Sequence, residues 1–245
     1  MSSCLRVLLG SALLLAFASP SPALTINASD SGWHSSAGNH TASNQDYVAG
    51  WVTDTEYHDF FVFDLSTLSV TDTILSATLH VYNPKAGEPN ASFTNGYDSP
   101  DASETYNLRE VLTPAAAVTA PSVLNPVVYT DLGDGTLFGS YAASNADNGA
   151  FIDIPLNAAG IASAQTFVGI GSFVLGGQVS TLASTINVDE FVFGHTDPAG
   201  FGPYTRQLIV TLMPEPGTGA LVALGLVALT SARRGRASGE RIGLQ

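Results

Sequence analysis

The chain has 245 residues, of which 45% are hydrophobic and 12% are charged, and its formal net charge is −13. This acidic balance excludes recognition of nucleic acids through phosphate contacts and disfavours contact with anionic membrane surfaces. The one cysteine, Cys4, has no partner for a disulfide within the chain, so burial of a hydrophobic core has to stabilise the fold.

The first element in chain order is a short apolar run that follows a single basic residue. Arg6 precedes the apolar residues 7–17, and the small residues of Ser21-Pro22-Ala23 come next. A charged start, an apolar stretch of this length and a small-x-small end are typical of a secretory signal peptide. We therefore expect residues 1–23 to engage the secretion machinery, and the rest of the chain to be exported.

The region 24–213 predicts strands and carries most of the charge, with 19 acidic and three basic residues and a net charge of −16. Residues 74–82 alternate strictly, which predicts a half-buried strand with Leu75, Ala77, Leu79 and Val81 on its inner face. Further β-forming runs are 60–65, 127–129, 151–154, 167–175, 188–193 and 207–212.

Turn-forming dipeptides separate these runs and leave little room for helices. They are Asn83-Pro84, Asn95-Gly96, Asp134-Gly135, Asn148-Gly149 and Gly176-Gly177. Residues 157–165 alone predict a helix, with Asn157 as its N-cap. This pattern predicts an all-β fold, an antiparallel β-sandwich of jelly-roll-like topology over residues 24–213. We expect its first and last strands, near Leu24 and Leu212, to pair.

The stretch 31–51 is the most unusual part of this domain, because both tryptophans of the chain lie there among small residues. Rigid aromatic rings beside Asn and Asp side chains suit a carbohydrate-binding surface. The alternative is that both tryptophans pack under the loop as an extension of the core. The candidate ligand-binding residues are Trp33, His34, His40, Asn44, Asp46, Tyr47 and Trp51.

Two predicted turns with glycine offer oxygen ligands for calcium, which prefers clustered oxygens. Asp131 and Asp134 lie in one turn and Asp147 in the other. Neither turn matches the twelve-residue calcium loop, so ordinary turns are the alternative. Zinc would need three convergent ligands, such as His34, His40 and Asp46, but these lack the spacing of known zinc motifs. We expect no cofactor, with calcium left open.

The sequence contains none of the short motifs that mark a catalytic nucleophile or a phosphate-binding loop. Carboxylates are abundant, and two that face each other across a cleft could cleave a glycosidic bond. Candidate pairs come from two groups, Asp59 with Asp64, and Asp98 with Asp101 and Glu104. We predict a non-catalytic protein, and the alternative is an enzyme that degrades extracellular polysaccharide through paired carboxylates.

The last predicted element is an apolar run that ends in arginines. Pro214-Glu215-Pro216 precedes 16 mostly small or apolar residues, and Arg233, Arg234 and Arg236 follow. As a helix this run would be about 24 Å long, somewhat short of the roughly 30 Å hydrocarbon core of a membrane. Arginines favour the cytoplasmic side. We expect a single helix that holds the exported domain at the inner membrane until processing.

These features, in this order at the end of a chain with a signal peptide, resemble the PEP-CTERM sorting signal of Gram-negative bacteria. The resemblance covers Pro214 to Arg236. It implies recognition by an exosortase, a membrane transpeptidase-like protease that cuts near the Pro-Glu-Pro motif. The domain would then be released to the cell envelope or to an exopolysaccharide matrix.

Three stretches of the domain also resemble the domain that many PEP-CTERM proteins carry. They are residues 31–50, 60–84 and 187–194. This second resemblance implies no assigned activity and no site. Together the observations predict an exported protein of the envelope or matrix with a structural or carbohydrate-binding role, and a matrix protein that only self-associates is a further alternative.

Overall fold

A computed structural model describes residues 23–88, 95–183, 188–194 and 205–214. Most of these residues lie in antiparallel strands, so the predicted all-β class is confirmed. Residues 1–22, which hold nearly all of the predicted signal peptide, lie outside the described residues, as do residues 215–245 with the predicted membrane helix. Among the described residues, no helix has the length and apolar character that a membrane span requires.

The described elements are eleven strands, three α-helices and one 3-10 helix at Asn145–Asp147. The strands are β1 Ala23–Asn27, β2 Asp30–Ser35, β3 Ala49–Val52, β4 Thr55–Asp64, β5 Ile74–Asn83, β6 Glu104–Glu110, β7 Leu137–Ala143, β8 Ala150–Pro155, β9 Ser172–Val179, β10 Glu190–Val192 and β11 Arg206–Leu212. The helices are α1 Ala115–Val118, α2 Val127–Asp134 and α3 Ala158–Gln165.

The strands form two sheets. The four-stranded sheet has the order β1-β11-β5-β8. The seven-stranded sheet has the order β10-β3-β4-β9-β6-β7, and β2 also pairs with β4. The first and last strands pair as the sequence predicts, with Leu24 opposite Val210. All of the described pairings between strands are antiparallel.

The main core contains side chains from both sheets, and the position of strand β4 explains why residues 60–63 are all apolar. Phe61 and Phe63 belong to this core. Phe60 and Val62 point to the other side of β4, into a second cluster with Val118, which comes from α1. Residues 111–136, with α1 and α2, thus cover the outer face of the seven-stranded sheet, and we call them the outer segment. A strand covered on both faces has no polar side to present.

Strand β5 follows the predicted alternation except at one position. Ala77, Leu79 and Val81 are buried as predicted, but Leu75 is 46% exposed and Ile74 is buried instead. The register with β11 shifts between Thr211 and Leu212, so β5 has one extra residue there. Such a bulge reverses the face of the residues beyond it. The prediction for Leu75 was therefore wrong.

Two other strand predictions were wrong because glycine or packing favours another conformation. Residues 127–129 begin helix α2, where Val128 is buried against the outer face of the seven-stranded sheet. In the predicted run 167–175, residues 167–170 form turns, and Gly169 has a φ of +73°, which a strand does not use, whereas residues 172–175 lie in β9 as predicted. The predicted turn at Gly176-Gly177 lies inside β9.

The predicted helix 157–165 is confirmed as α3. The Asn157 side chain accepts a hydrogen bond of 3.0 Å from the amide of Gly160. This contact satisfies an otherwise unpaired amide of the first turn, as an N-cap does.

Candidate functional site

Three of the seven predicted ligand-binding residues are buried. His34 and Tyr47 are 0% exposed and His40 is 5% exposed. A ligand that approaches from outside cannot touch side chains at this depth without unfolding part of the domain. The predicted binding surface must be corrected at these three residues, because strand pairing and the outer segment cover their side chains.

The two buried histidines hold the outer segment against β2. His34 Nε2 lies 2.8 Å from the carbonyl oxygen of Val118, and His40 Nδ1 lies 2.8 Å from that of Trp33. Their rings stack at 4.5 Å. Burial lowers the pKa of His34 to about 4, against the effect of the Val118 hydrogen bond, and it lowers the pKa of His40 as well. Both rings are therefore neutral at physiological pH.

Tyr47 and Arg206 close one end of the main core. The Tyr47 ring packs on Phe61, and its hydroxyl donates to the carbonyl oxygen of Tyr82 at 3.1 Å. The Arg206 side chain, 4% exposed, donates to Gln45 Oε1 at 3.2 Å. Burial lowers the pKa of Arg206. These contacts connect the loop after β2 with the four-stranded sheet and are structural.

The two tryptophans lie on opposite faces of the seven-stranded sheet. Directly opposed residues of an antiparallel pair share a face, and neighbours along a strand alternate. Trp33 is opposite Asp59 and Trp51 is opposite Glu56, which are three positions apart on β4. Trp33 packs edge-on against Tyr57 at 5.1 Å. One flat ligand cannot contact both indoles, although each is partly exposed.

Asn44 and Asp46 are half-buried and shape the loop itself. Asn44 Oδ1 accepts a hydrogen bond of 2.9 Å from the amide of Asp46. The structure therefore brings Trp33, His34 and His40 into contact. It places Tyr47 in the main core, Trp51 on the other face of the sheet and Asn44 with Asp46 in a turn, so the seven predicted residues do not form one surface.

The predicted calcium ligands also have other roles. Asp131 and Asp134 lie in α2, so the turn predicted there was wrong. Asp131 Oδ2 accepts from the amides of Leu112 and Thr113, at 3.0 and 2.7 Å. Asp147 forms a capping box with Ser144. Within the described ranges, no three His, Cys, Asp or Glu side chains converge in a way that could hold a metal ion.

Of the candidate catalytic carboxylates, Asp59 and Asp64 do not face each other, and Glu104 is buried. Asp59 and Asp64 are five positions apart on β4, so their side chains point to opposite faces of the sheet. Asp59 is completely buried, and burial raises its pKa to about 8. Glu104 is also completely buried and accepts hydrogen bonds from the hydroxyls of Ser99 and Thr181.

The open face of the four-stranded sheet presents a site that sequence reasoning did not predict. His80 on β5 and Asp153 on β8 are opposite each other, and His80 Nδ1 lies 2.6 Å from Asp153 Oδ1. The same polar row continues across the sheet, because Gln207 is opposite His80 and donates to Asn27 Oδ1 at 2.9 Å. One polar side chain therefore stands on each of the four strands.

Aromatic side chains border this polar row. The His80 ring stacks on Phe151 with 4.2 Å between centroids and 5° between planes. Tyr82 is directly opposite Phe151, and the two rings are tilted with 5.1 Å between centroids. The Tyr82 hydroxyl donates to Glu88 Oε2 at 2.7 Å. Phe151 remains 46% exposed. We call the row and its aromatic border the sheet-face site, which comprises Asn27, His80, Tyr82, Phe151, Asp153 and Gln207.

The sheet-face site presents hydrogen-bonding groups at the spacing of the strands, beside an apolar ring. Neighbouring strands are about 4.8 Å apart, so a chain lying across them would meet one hydrogen-bonding group per strand. Amide, imidazole and carboxylate groups offer both donors and acceptors. The half-exposed Phe151 offers an apolar contact beside them.

Part of the sheet-face site could be predicted from the sequence. The alternation of 74–82 places His80 and Tyr82 on the outer face, and Phe151 and Asp153 alternate with buried Ile152 and Ile154. What the sequence could not show is that β5 and β8 are neighbours, since many residues and two other strands separate them along the chain.

Of the predicted sorting residues, the structure describes Pro214, which is exposed. Glu215, Pro216, Arg233, Arg234 and Arg236 lie outside the described residues. No model of a known protein family matches the chain, and no curated protein matches it either. The likeness to PEP-CTERM proteins thus rests on the motifs in the sequence.

Proposed function

We propose that this protein is an exported, exosortase-sorted component of the cell envelope or exopolysaccharide matrix, where it binds carbohydrate without catalysis. The observation that carries the proposal is the sheet-face site, a row of polar side chains across four strands with an aromatic border. Its charged group, Asp153, has a side chain 66% exposed and is paired with His80, so the site suits a neutral polymer better than an anionic one.

The order of the strands supports a jelly-roll-like topology for the domain. Strands β1, β11, β5 and β8 form one sheet, and β4, β9, β6 and β7 lie side by side in the other. Among these eight strands, consecutive ones lie in different sheets except β6 and β7, as in a double-sheet jelly roll, an architecture that lectin domains use. This support comes from analogy of fold, and the chemistry of the site carries the binding role.

The sequence motifs at both ends support the location. A signal peptide at residues 1–23 would direct export, and the Pro-Glu-Pro motif, apolar run and arginines would hold the chain at the inner membrane until an exosortase cuts. The partners are therefore the secretion machinery, an exosortase and exopolysaccharide. We propose no cofactor and no nucleic acid ligand.

The non-catalytic role is supported by the placement of the carboxylates. A glycosidase needs two carboxyl groups on either side of the bond that breaks. Asp59, which has the raised pKa of a general acid, lies in the core, and Asp64 points to the other face of the sheet.

The full chain, incubated with exopolysaccharide from the producing cells and with cellulose as a neutral reference, tests the proposal. We expect the protein to sediment with at least one polymer and to release no reducing ends. His80→Ala should weaken retention, whereas Trp33→Ala should leave it unchanged. Release of reducing ends that disappears with a single Asp→Asn change would instead establish the polysaccharide-degrading enzyme.

A further inference from the structure

Carboxylates lie on both sides of the half-exposed ring of Phe151. Asp153 follows two positions later on β8, so its exposed side chain stands on the same face of the sheet. Glu88 lies on the other side of the ring, because a Cβ on Gly149, two positions before Phe151, would be 3.3 Å from Glu88 Oε1. The aromatic border of the sheet-face site is therefore flanked by two negative charges.

A third carboxylate lies just before β8, the strand at the edge of the four-stranded sheet. Asp147 Oδ1 accepts a hydrogen bond of 2.8 Å from the Tyr141 hydroxyl. Burial, this hydrogen bond and the charges of Asp147 and Asp153 together raise the pKa of Tyr141 to about 12. Tyr141 thus responds to both carboxylates, which shows that their electric fields overlap along this edge.

Few positive charges balance these carboxylates. The lysine and arginine side chains of residues 24–213 are Lys85, Arg109 and Arg206. Arg206 is buried, and Arg109 lies on β6 in the other sheet. Lys85 is exposed in the same turn as Glu88 and offsets one of the three negative charges. The sheet-face site is therefore negative at its aromatic end.

One carboxylate oxygen at this end remains for a ligand. The contact with His80 Nδ1, at 2.6 Å, engages Oδ1 of Asp153 and leaves Oδ2 on an exposed side chain. Asp153 Oδ2 can accept a hydrogen bond from a cation, which is stronger than one between neutral groups. The face of an aromatic ring also attracts cations, and Phe151 is the next outward residue on β8.

A protonated amine fits this arrangement better than other groups that sugars carry. It offers three donors and one positive charge, which Asp153 and the Phe151 ring both attract. A carboxylated or sulfated sugar would be repelled at the same place. A neutral sugar would form hydrogen bonds with the polar row and gain nothing from the carboxylate charge.

We infer that the sheet-face site binds a polysaccharide that carries free amino groups, as a polymer of glucosamine does. This ligand class deepens the carbohydrate-binding role proposed above and rests on it. The polar row contacts hydroxyl groups of the sugar rings, while Asp153 and Phe151 contact one ammonium group. The net charge of −16 over residues 24–213 attracts such a polymer from a distance.

Calorimetric titration of the full chain with a glucosamine oligomer, and with the same oligomer after N-acetylation, tests the inference. A mildly acidic buffer keeps the amines protonated. We expect the aminated oligomer to bind about tenfold more tightly at low salt, because a hydrogen bond between charged groups is added. This ratio of affinities should shrink at high salt, which screens the charges. In Asp153→Asn the ratio should fall to about one, since the carboxylate that recognises the amine is gone.

Asp134→Asn is the matched control, because it removes the same charge from an exposed side chain on α2, which covers the other sheet. It should keep the wild-type ratio. An equal fall of the ratio in both variants would assign the preference to overall charge and overturn the inference. Oligolysine that binds as tightly as the aminated oligomer, with the same dependence on Asp153, would also overturn it and identify a basic protein as the partner.

The two oligomers also separate this inference from the carbohydrate-binding role itself. Equal affinities of the wild type for both oligomers would overturn the preference for amines and leave carbohydrate binding in place. Absence of binding to either oligomer and to the exopolysaccharide of the producing cells would overturn both.

Discussion

The Tyr106 hydroxyl donates a hydrogen bond of 2.8 Å to Asp59 Oδ1 in the core, where both side chains are completely buried. Gly177 on the neighbouring strand makes this pair possible, since a Cβ there would lie 1.8 Å from the Tyr106 oxygen and 2.2 Å from Asp59 Oδ1. Burial raises the pKa of Asp59 to about 8, and the Tyr106 hydrogen bond opposes this only in part. Asp59 is therefore mostly protonated at neutral pH.

Asp59 makes the domain less stable as the pH rises. Its pKa is about 8 in the folded chain and 3.8 as a free side chain, so the folded state binds more protons between these values. The contribution of protonated Asp59 to the free energy of unfolding is fully present below pH 3.8. It is lost as the pH rises through 8, at up to about 1.4 kcal/mol per pH unit. We expect the free energy of unfolding in urea to fall between pH 6.5 and 8.

Asp59→Asn should remove this slope, because an amide does not ionise. Asp64→Asn is the matched control on the same strand and should keep it, since the Asp64 carboxylate points to the other face and accepts hydrogen bonds from Ser66. A stability that is flat over this range in the wild type, or an unchanged slope in Asp59→Asn, would contradict the buried acid.

His34 makes the domain sensitive to acid. Burial, together with the smaller effect of a charge on His40, lowers its pKa from 6.5 to about 4, against the opposing effect of the Val118 hydrogen bond. The unfolded state then binds more protons between these values. The contribution of neutral His34 to stability is therefore fully present above pH 6.5 and is lost as the pH falls through 4. His34→Gln should make the free energy of unfolding depend less on pH in this acidic range. Hydrogen exchange at the amides of Thr119, Ala120 and Ser122 should speed up first, because His34 bonds to the carbonyl of Val118 beside them.

Gly177→Ala should destabilise the domain by about 1–3 kcal/mol or more, because the methyl group would displace the Asp59–Tyr106 pair from a packed core. Thermal unfolding measures the effect. Gly171→Ala is the matched control, since no described atom lies within 4 Å of a Cβ at that position. Equal melting temperatures for the two variants would show that the space around Gly177 is not tight.

Processing of the C-terminus can be read from the mass of the exported protein. If an exosortase cuts near Pro214-Glu215-Pro216, the mature product lacks Arg233, Arg234 and Arg236. Intact-mass spectrometry of the material outside the cell should therefore show a chain that ends near residue 214. A free, soluble product that still carries the arginines would contradict the proposed sorting.

Sequence reasoning succeeded where local chemistry decides the structure. Asn157 caps α3 because its side chain reaches the amide of Gly160, a contact within one turn. The alternation of β5 identified its buried face at Ala77, Leu79 and Val81. The pairing of the first and last strands also followed, because both were strongly β-forming and lay at the ends of one domain.

Sequence reasoning failed where distant parts of the chain decide it. Val127 to Tyr129 has a high β propensity, yet packing on the outer face of the sheet makes it helical. Gly176-Gly177 has the composition of a turn, but it is a place where other groups approach a strand closely. The candidate site was misplaced for the same reason, since the seven residues of 31–51 divide between two faces once β2 and β3 pair with β4.

The affinity of the full chain for a neutral polysaccharide, compared between Phe151→Ala and Leu75→Ala, tests the central claim most directly. Both residues are 46% exposed on the same sheet, and only Phe151 belongs to the sheet-face site. Burying the exposed half of a phenylalanine is worth about 1 kcal/mol, so Phe151→Ala should weaken binding roughly fivefold to tenfold. Leu75→Ala should bind like the wild type. Equal affinities for all three proteins, or no binding by the wild type, would contradict the account.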